Sequence, residues 1–306
     1  MVVEPAITTT ATERRMDEAD REKAPAEPWD DPAVGRLLAL ALDEDVGEGD
    51  LTSRAVVPEG ARALARVQAK TALVFAGGGL VPRLYARLGI RDVRVPVPDG
   101  TRVPAGTVVA EARGAARALL TGERTLLNLL QHLSGIATLT HRCVDALAGT
   151  RCVLRDTRKT LPGLRMLEKY AVRAGGGTNH RLRLDDGVLI KDNHVVLAGS
   201  VGAAVAAARA ALTGHPIEVE CDTVDEVSEA LAAGADVILL DNMDAADIAR
   251  ALSVVGGRVP VEASGGITPD RVREIALLGV DYIAMGCLTH SAPAVDLSLS
   301  IEPLHA

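Results

Sequence analysis

Apolar residues recur at helical spacing between positions 31 and 46, at Val34, Leu37, Leu38, Ala41 and Leu42. A longer register of the same period, Leu126, Leu127, Leu130, Leu133, Ala137, Thr140, Val144 and Leu147, predicts one long helix starting near Thr121. Between them, ALARVQAK (63–70) and VRVPVPDGTRVPAGTVVAEARG (93–114) alternate apolar and polar positions, with Pro and Gly interruptions. That period-two rhythm predicts short strands of a small sheet. EDVGEGDLTS, after the first helix, is a Gly/Asp loop ending on Thr52 and Ser53, residue types that cap helices.

After Gly149 the rhythm changes. RCVLRDTR, VLIKDNH, PIEVECDT, VILLDN, VPVEASGG and DYIAMGCL alternate with helical patterns such as LRMLEKYAVRAGG, VGAAVAAARAAL and VDEVSEALAAG. Apolar runs without alternation, set between amphipathic helices, are the mark of parallel strands covered by helices. Six such strands with short returns point to a (β/α) barrel, complete or slightly open. The alternative, a doubly wound sheet, lacks the G-x-G-x-x-G expected after its first strand. The Gly triplets at 77–79 and 175–177 read as turns and helix ends.

In a (β/α) barrel the chemistry lies at the C-terminal strand ends. Here those ends carry Arg158 and Lys159, Lys191, Glu220, Asp241, then Ser264, Gly265 and Gly266, and finally Gly286. A single Arg or Lys past a strand is ordinarily a solvated loop charge. Between positions 155 and 194, however, nine Arg/Lys stand against five Asp/Glu, in a chain whose formal net charge is −8. Two like charges ~4 Å apart at an effective dielectric of 20 repel by ~4 kcal/mol. Cations gathered in one cleft therefore call for a multiply charged anion. Glu220 and Asp241 suit either Mg²⁺ and sugar hydroxyls or salt bridges to those cations. EASGGI and MGCL place backbone N–H groups where late barrel loops cradle phosphate. His180 and His290 are the histidines nearest this chemistry; His290, past the last strand, is placed to donate to a phosphate or leaving group.

Composition narrows the partners. Aromatic residues are 2% of the chain, too few for a nucleic-acid stacking platform, and the acidic balance disfavours polyanions on the general surface. No apolar stretch is long enough to cross a membrane. Residues 1–28 mix Thr, Glu, Asp, Arg, Ala and Pro without apolar periodicity. They are expected to be a disordered tail rather than a signal or transit peptide, which makes the expected location cytoplasmic. Cys143, Cys152, Cys221 and Cys287 are scattered and read as reduced, buried apolar residues.

EDVGEGDLTS, ERTLLNLLQHLSGIAT, DTRKTLPGLR, GGGTNHRLRLDDGVLIKDNH, EVE, LLDNM, EASGGI and GVDYIAMGCLTHSAP together resemble the quinolinate phosphoribosyltransferase family, in the family's order, from about 31 to 299. The resemblance implies a smaller N-terminal α/β sandwich (29–149, rejoined by 290–306) and an open (β/α) barrel of six to seven strands (150–289), in a homodimer. It implies Mg²⁺-dependent transfer of a phosphoribosyl group from phosphoribosyl pyrophosphate to quinolinate with loss of CO₂, giving nicotinate mononucleotide for NAD biosynthesis. Carried over residue by residue, Arg124 is donated across the dimer interface, and with Arg158, His180, Arg181 and Lys191 surrounds the quinolinate carboxylates. Lys159, Glu220, Asp241, Ser264, Gly265, Gly266, Gly286 and His290 fall to the phosphoribosyl pyrophosphate side, and Thr157 is a further substrate-binding candidate. Lys159, Glu220 and Asp241 are the catalytic candidates, and Glu220 and Asp241 also the Mg²⁺ candidates. On the residues alone three rivals stand: a Schiff-base aldolase using Lys159 or Lys191, a phosphoribosyltransferase for another anionic heterocycle, and a non-catalytic barrel that binds phosphorylated ligands.

Overall fold

The computed structural model describes residues 27–305, so most of the proposed N-terminal tail lies outside the described residues. The first half builds an antiparallel sheet and its covering helices. Its strands are β1 (Arg62–Ala69), β2 (Leu73–Val74), β3 (Asp92–Arg94), β4 (Arg102–Val103) and β5 (Val108–Ala115); all but β2 come from the alternating segments, and β2 and β4 form a separate two-stranded pair. The second half contributes β6 (Val153–Arg155), β7 (Val188–Ile190), β8 (Ile217–Cys221), β9 (Val237–Asp241), β10 (Val261–Ser264) and β11 (Tyr282–Ala284). A last strand, β12 (Leu297–Pro303), returns to the first half and pairs antiparallel with β1, giving the order β12-β1-β5-β3.

The six second-half strands are parallel, in the order β6-β11-β10-β9-β8-β7. β7 and β6 do not pair, so the barrel is open there; a single parallel bridge from Arg155 to Thr178 extends the β6 edge. This is the open α/β barrel with a smaller N-terminal domain that the periodicity and resemblance predict. Successive parallel strands require crossovers, and those helices are capped by local sequence. Thr223 and Glu226 form a capping box, while Ser200 and Asp244 accept the amides of Ala203 and Asp247.

One local expectation is corrected and one is met. The helix Leu51–Val56 is capped by Asp50, whose carboxylate accepts the Ser53 amide at 2.9 Å; Thr52 and Ser53 lie inside it. Asp50 meets the amide two to three residues on with a charged acceptor, the stronger cap. The predicted long helix is Glu123–Ala146, starting two residues after Thr121; a short helix, Ala116–Thr121, precedes it across Gly122. A Cβ at Gly122 would sit 2.7 Å from Leu88 Cδ1, so a close approach replaces a continuous helical face there.

Helix Glu123–Ala146 joins the halves. It buries Leu126, Leu127, Leu130, Leu133, Ala137 and Thr140 and packs on β2 and β12 as well as on β6 and helix Arg165–Ala174. One hydrophobic core therefore runs through both halves. Among the described residues no single helix is long and apolar enough to cross a membrane. Where the helix passes the chain leading to β12, a Cβ at Gly135 would lie 2.3 Å from the Pro293 carbonyl oxygen. Gly135→Ala gains about 1 kcal/mol of helix propensity but must displace backbone, at ~1–3 kcal/mol. Chemical denaturation should show net destabilisation; a stabilised variant would contradict the packing.

Candidate active site

The C-terminal ends of the barrel strands enclose a cavity of about 400 Å³. Its wall includes Thr157, Arg158, Lys159, His180, Arg181, Lys191, Glu220, Asp241 and Ser264, nine of the fourteen residues singled out from the sequence, together with Glu262. Parallel pairing explains the convergence: Ser264 is in register with Asp241, and Glu220 with Leu239, so alternate side chains of neighbouring strands enter one basin. Lys191 is bonded to Glu220, and Arg181 donates to the Gly187 carbonyl at 3.0 Å. Burial and the neighbouring Arg158 guanidinium both lower the Arg181 pKa, so the two cations are held together against their repulsion.

Gly265, Gly266, Gly286, His290 and Arg124 do not line the cavity. The two serine-adjacent glycines have φ of +85° and +58°, and a Cβ on Gly265 would meet Asn242 Oδ1 at 2.3 Å. Only glycine fits that turn. Gly286 abuts Lys159 and His290: a Cβ there would come within 2.9 Å of Lys159 Cδ and 3.1 Å of His290 Nε2. His290 thus stands beside Lys159, exposed, its Nδ1 2.5 Å from Ser291 Oγ. Arg124 lies exposed in the first turn of helix Glu123–Ala146.

Beneath the cavity is a polar layer that the strand-end reading missed. Arg155 Nη1 donates to Glu262 Oε2 at 3.1 Å, and the guanidinium covers the Tyr282 ring, 3.4 Å from its centroid. His180 Nε2 is 2.8 Å from Glu218 Oε2 and 3.7 Å from Glu262 Oε1, while its Nδ1 accepts the Arg181 amide at 2.8 Å. That amide bond fixes the tautomer with hydrogen on Nε2. Burial opposes charge on His180, but Glu218 and Glu262 outweigh it and raise its pKa. Both ring nitrogens are thus engaged within the protein, and His180 faces the cavity without a free N–H. Glu218 stands two residues before Glu220, and Glu262 two before Ser264. The period-two rule applied one step inward from each strand end finds both.

The loop bearing Arg158 and Lys159 is anchored by Asp156. This fully buried carboxylate is bonded to the equally buried Lys169 ammonium, and accepts the His180 amide at 2.9 Å and Asn179 Nδ2 at 2.6 Å. Lys169 also donates to the His180 carbonyl at 2.9 Å. Burial pushes Asp156 up and Lys169 down, against their mutual attraction and the hydrogen bonds that favour the ionised pair.

Glu220 and Asp241 present carboxylate oxygens at the mouth of the cavity, hard donors of the kind Mg²⁺ uses when substrate phosphates and water complete its shell. Lys191 on Glu220 and Asn242 on Asp241, 2.6 Å from Oδ2, each leave the carboxylate a second oxygen. The deeper trio His180, Glu218 and Glu262 is also closely clustered, its potential ligand atoms all within 4.8 Å of one another. It is a poor cation site, because Nε2 of His180 carries hydrogen and Arg155 occupies Glu262.

The models of two protein families match the chain: the quinolinate phosphoribosyl transferase C-terminal domain over residues 136–300 and its N-terminal domain over residues 50–134. The chain is 45% identical over 270 residues to the probable nicotinate-nucleotide pyrophosphorylase (carboxylating) of Bacillus subtilis (strain 168), covering 87% of this chain and 92% of that one. It is 44% identical over 276 residues to the nicotinate-nucleotide pyrophosphorylase (carboxylating) of Mycobacterium leprae (strain TN), covering 88% and 97%. The crystal structure of nicotinate-nucleotide pyrophosphorylase from Ehrlichia chaffeensis matches with a TM-score of 0.84 at 38% identity, over 87% of this chain and 98% of that one.

The Asp156 anchor is open to a direct test. Lys169→Met removes one partner of a buried ion pair and should destabilise the fold by ~3–5 kcal/mol. Combining it with Asp156→Asn should recover part of that loss in denaturant melts. Strictly additive losses would mean the two charges do not act as a pair.

Proposed function

The chain belongs to the quinolinate phosphoribosyltransferase family of pentosyltransferases, and on that premise we propose a full assignment of its reaction and site. Phosphoribosyl pyrophosphate donates the phosphoribosyl group, quinolinate accepts it, and CO₂ is lost to give nicotinate mononucleotide, in the cytoplasm. The observation that supports this most is the crowding of Arg158 and Arg181 in one cavity with Lys159 and Lys191. A dianionic ring relieves that repulsion, and the planar guanidinium forks match its carboxylates.

The chemistry follows from what each group can do. Arg158, Arg181 and Lys191 bind and orient quinolinate, with the pyridine nitrogen toward the ribose carbon. That nitrogen is the nucleophile and needs no general base. As pyrophosphate leaves, the ribose becomes oxocarbenium-like, and the Glu220 and Asp241 carboxylates stabilise its positive charge. Lys159, with His290 beside it, neutralises the departing pyrophosphate, and the amides around Ser264, Gly265 and Gly266 receive the sugar phosphate. Mg²⁺, held by Glu220, Asp241 and pyrophosphate oxygens, would supply charge neutralisation for the leaving group. Once ribosylated, the ring nitrogen is cationic and stabilises the carbanion left by CO₂, which takes up one proton from solvent to give nicotinate mononucleotide. Thr157 keeps the loop in place by accepting the Lys159 amide at 3.0 Å.

We further assign a homodimer in which Arg124 completes the opposite subunit's cavity. Supporting it are exposed apolar side chains on both halves, Leu40, Leu51 and Val56 on the half that carries Arg124, and Leu184, Val196 and Leu197 in and just after the cation-rich segment. A two-fold axis lets each cover the other.

Incubation with quinolinate, phosphoribosyl pyrophosphate and Mg²⁺ should release CO₂ in step with nicotinate mononucleotide. Turnover of nicotinate but not quinolinate would defeat the assignment. Arg158→Ala should weaken quinolinate binding by ~2–4 kcal/mol in calorimetry, and unchanged affinity would remove Arg158 from the site. Arg124→Ala should be inactive alone yet regain activity when mixed with an inactive Arg158→Ala partner. If the mixed dimers form and stay inactive, Arg124 does not act across the interface.

A further inference from the structure

Arg165 stands where a cation is out of place. It is the first residue of helix Arg165–Ala174, at the positive end of the helix dipole, and no side chain caps that end. The acid of the same turn, Glu168, is already committed to His132 and to the Leu161 amide. What the Arg165 guanidinium gains instead is three neutral oxygens from two separate segments. Its Nε donates to Thr160 Oγ1 at 3.0 Å and its Nη1 to the Leu182 carbonyl at 3.2 Å, while Nη2 lies 3.5 Å from the Arg158 carbonyl oxygen. Arg158 and Thr160 belong to the loop after β6, and Leu182 directly follows Arg181. We propose that Arg165 is a positioning residue that determines specificity: its fork clips the Arg158 loop to the Arg181 segment and holds the two substrate-binding guanidiniums at the close spacing that adjacent ring carboxylates require. This rests on the reading that the cavity receives quinolinate.

The two guanidiniums need holding. Burial, and next the Arg158 charge, lower the Arg181 pKa, so the pair stands within mutual repulsion before any anion arrives. The bonds from Asp156 to Asn179 and to the His180 amide secure the inner ends of the two segments. Arg165 secures their outer ends, at Thr160 and Leu182. Arg158 is thus bracketed between Asp156 and Thr160, and Arg181 between His180 and Leu182. The Arg181 side chain has a tie of its own, to the Gly187 carbonyl at 3.0 Å. Arg158 Nε is buried without a partner, so the position of its loop decides where that fork points. A planar guanidinium meets acceptors from both segments at once in fixed directions, which an ammonium on a flexible stem does not reproduce. Released from the clip, Arg158 and Arg181 move apart under their own repulsion, and the site then accepts carboxylates set further apart on the ring.

Hydrogen exchange of the full-length, substrate-free enzyme tests the clip apart from the assignment of quinolinate. R165M should speed exchange in both segments, 158–161 and 181–183; unchanged exchange in either overturns the clip. Calorimetry then compares quinolinate with lutidinate, the pyridine dicarboxylate isomer whose carboxylates are separated by a ring carbon. In R165M the preference for quinolinate should fall at least about tenfold, the worth of a charge-assisted hydrogen bond. An equal loss for both ligands means a purely structural role and overturns the specificity. R165K keeps the charge without the fork and should recover little of the preference; full recovery would show that charge alone matters, against the proposal. Should R165M not fold, T160V removes a single bond and keeps every charge. Its preference for quinolinate should fall about two- to threefold, with faster exchange in 158–161. A T160V enzyme that matches the wild type in both measurements overturns the proposal. A wild type that binds no quinolinate overturns the substrate assignment and the specificity with it, while the exchange result still decides the clip.

Discussion

Asp156 is the point on which the arrangement of the site depends. A carboxylate with no exposure to solvent must find its partners inside the protein, and it finds them in two different stretches of chain. Lys169 comes from the helix after the first barrel strand; Asn179 and the His180 amide come from the segment beyond that helix. The bonds therefore hold the loop with Arg158 and Lys159 against the turn with His180 and Arg181. Without that tie, three cations of the site would sit on two independently moving loops. A buried ion pair adds little net stability compared with a well-packed apolar alternative. Its directional bonds fix geometry, which a site built from repelling charges needs more.

The barrel supplies the rest of that geometry by being polar where barrel interiors are usually apolar. Leu189, Leu239 and Ala284 line the cavity in the ordinary way. Arg155, Glu218 and Glu262 replace the packed layer beneath with opposed charges and a shared histidine. The upper layer, Lys191, Glu220, Asp241 and Ser264, lines the cavity, and the lower one contributes to the electrostatic field there. The opening between β6 and β7 leaves a rim on which segment 179–187, with His180, Arg181 and Arg183, is not confined to a strand.

Much of this was legible in the sequence because parallel strands covered by helices leave a strong trace: apolar runs, each ending on a polar residue. Arg158, Lys159, Lys191, Glu220, Asp241 and Ser264 were found that way and do line one cavity. Arg155, Glu218 and Glu262 were overlooked because a charged residue inside a short apolar run resembles a solvent-facing position. Only the pairing of strands decides which face it takes. The long helix was read with its start near Thr121, but the short helix before it was not, and the close approach of Leu88 to Gly122 at their junction comes from a distant part of the chain. Thr52 and Ser53 looked like caps by type, but Asp50 reaches the free amide first.

The long helix gives the N-terminal half a reason to be fused to the barrel. Its first turn carries Arg124, and two turns later His132 Nε2 lies 2.8 Å from Glu168 Oε1. Glu168 is fully buried, and its other oxygen accepts the Leu161 amide at 3.1 Å, in the same loop as Arg158 and Lys159. A rigid rod thus connects an exposed arginine on one domain to the backbone of the cation loop on the other. Tyr170 adds a second strut from the same barrel helix, donating to Asp99 at 2.7 Å, while Asp99 accepts the Gly77 and Gly78 amides of the N-terminal half. The multiply bonded carboxylates of the struts, Glu168 fully buried and Asp99 half-buried, resist sliding in a way an apolar contact does not, because any shift strands a desolvated acceptor. The two halves are therefore held in register by hydrogen bonds whose directions cannot be satisfied in a neighbouring arrangement, and the position of Arg124 relative to the cavity is set by the fold rather than by a flexible joint.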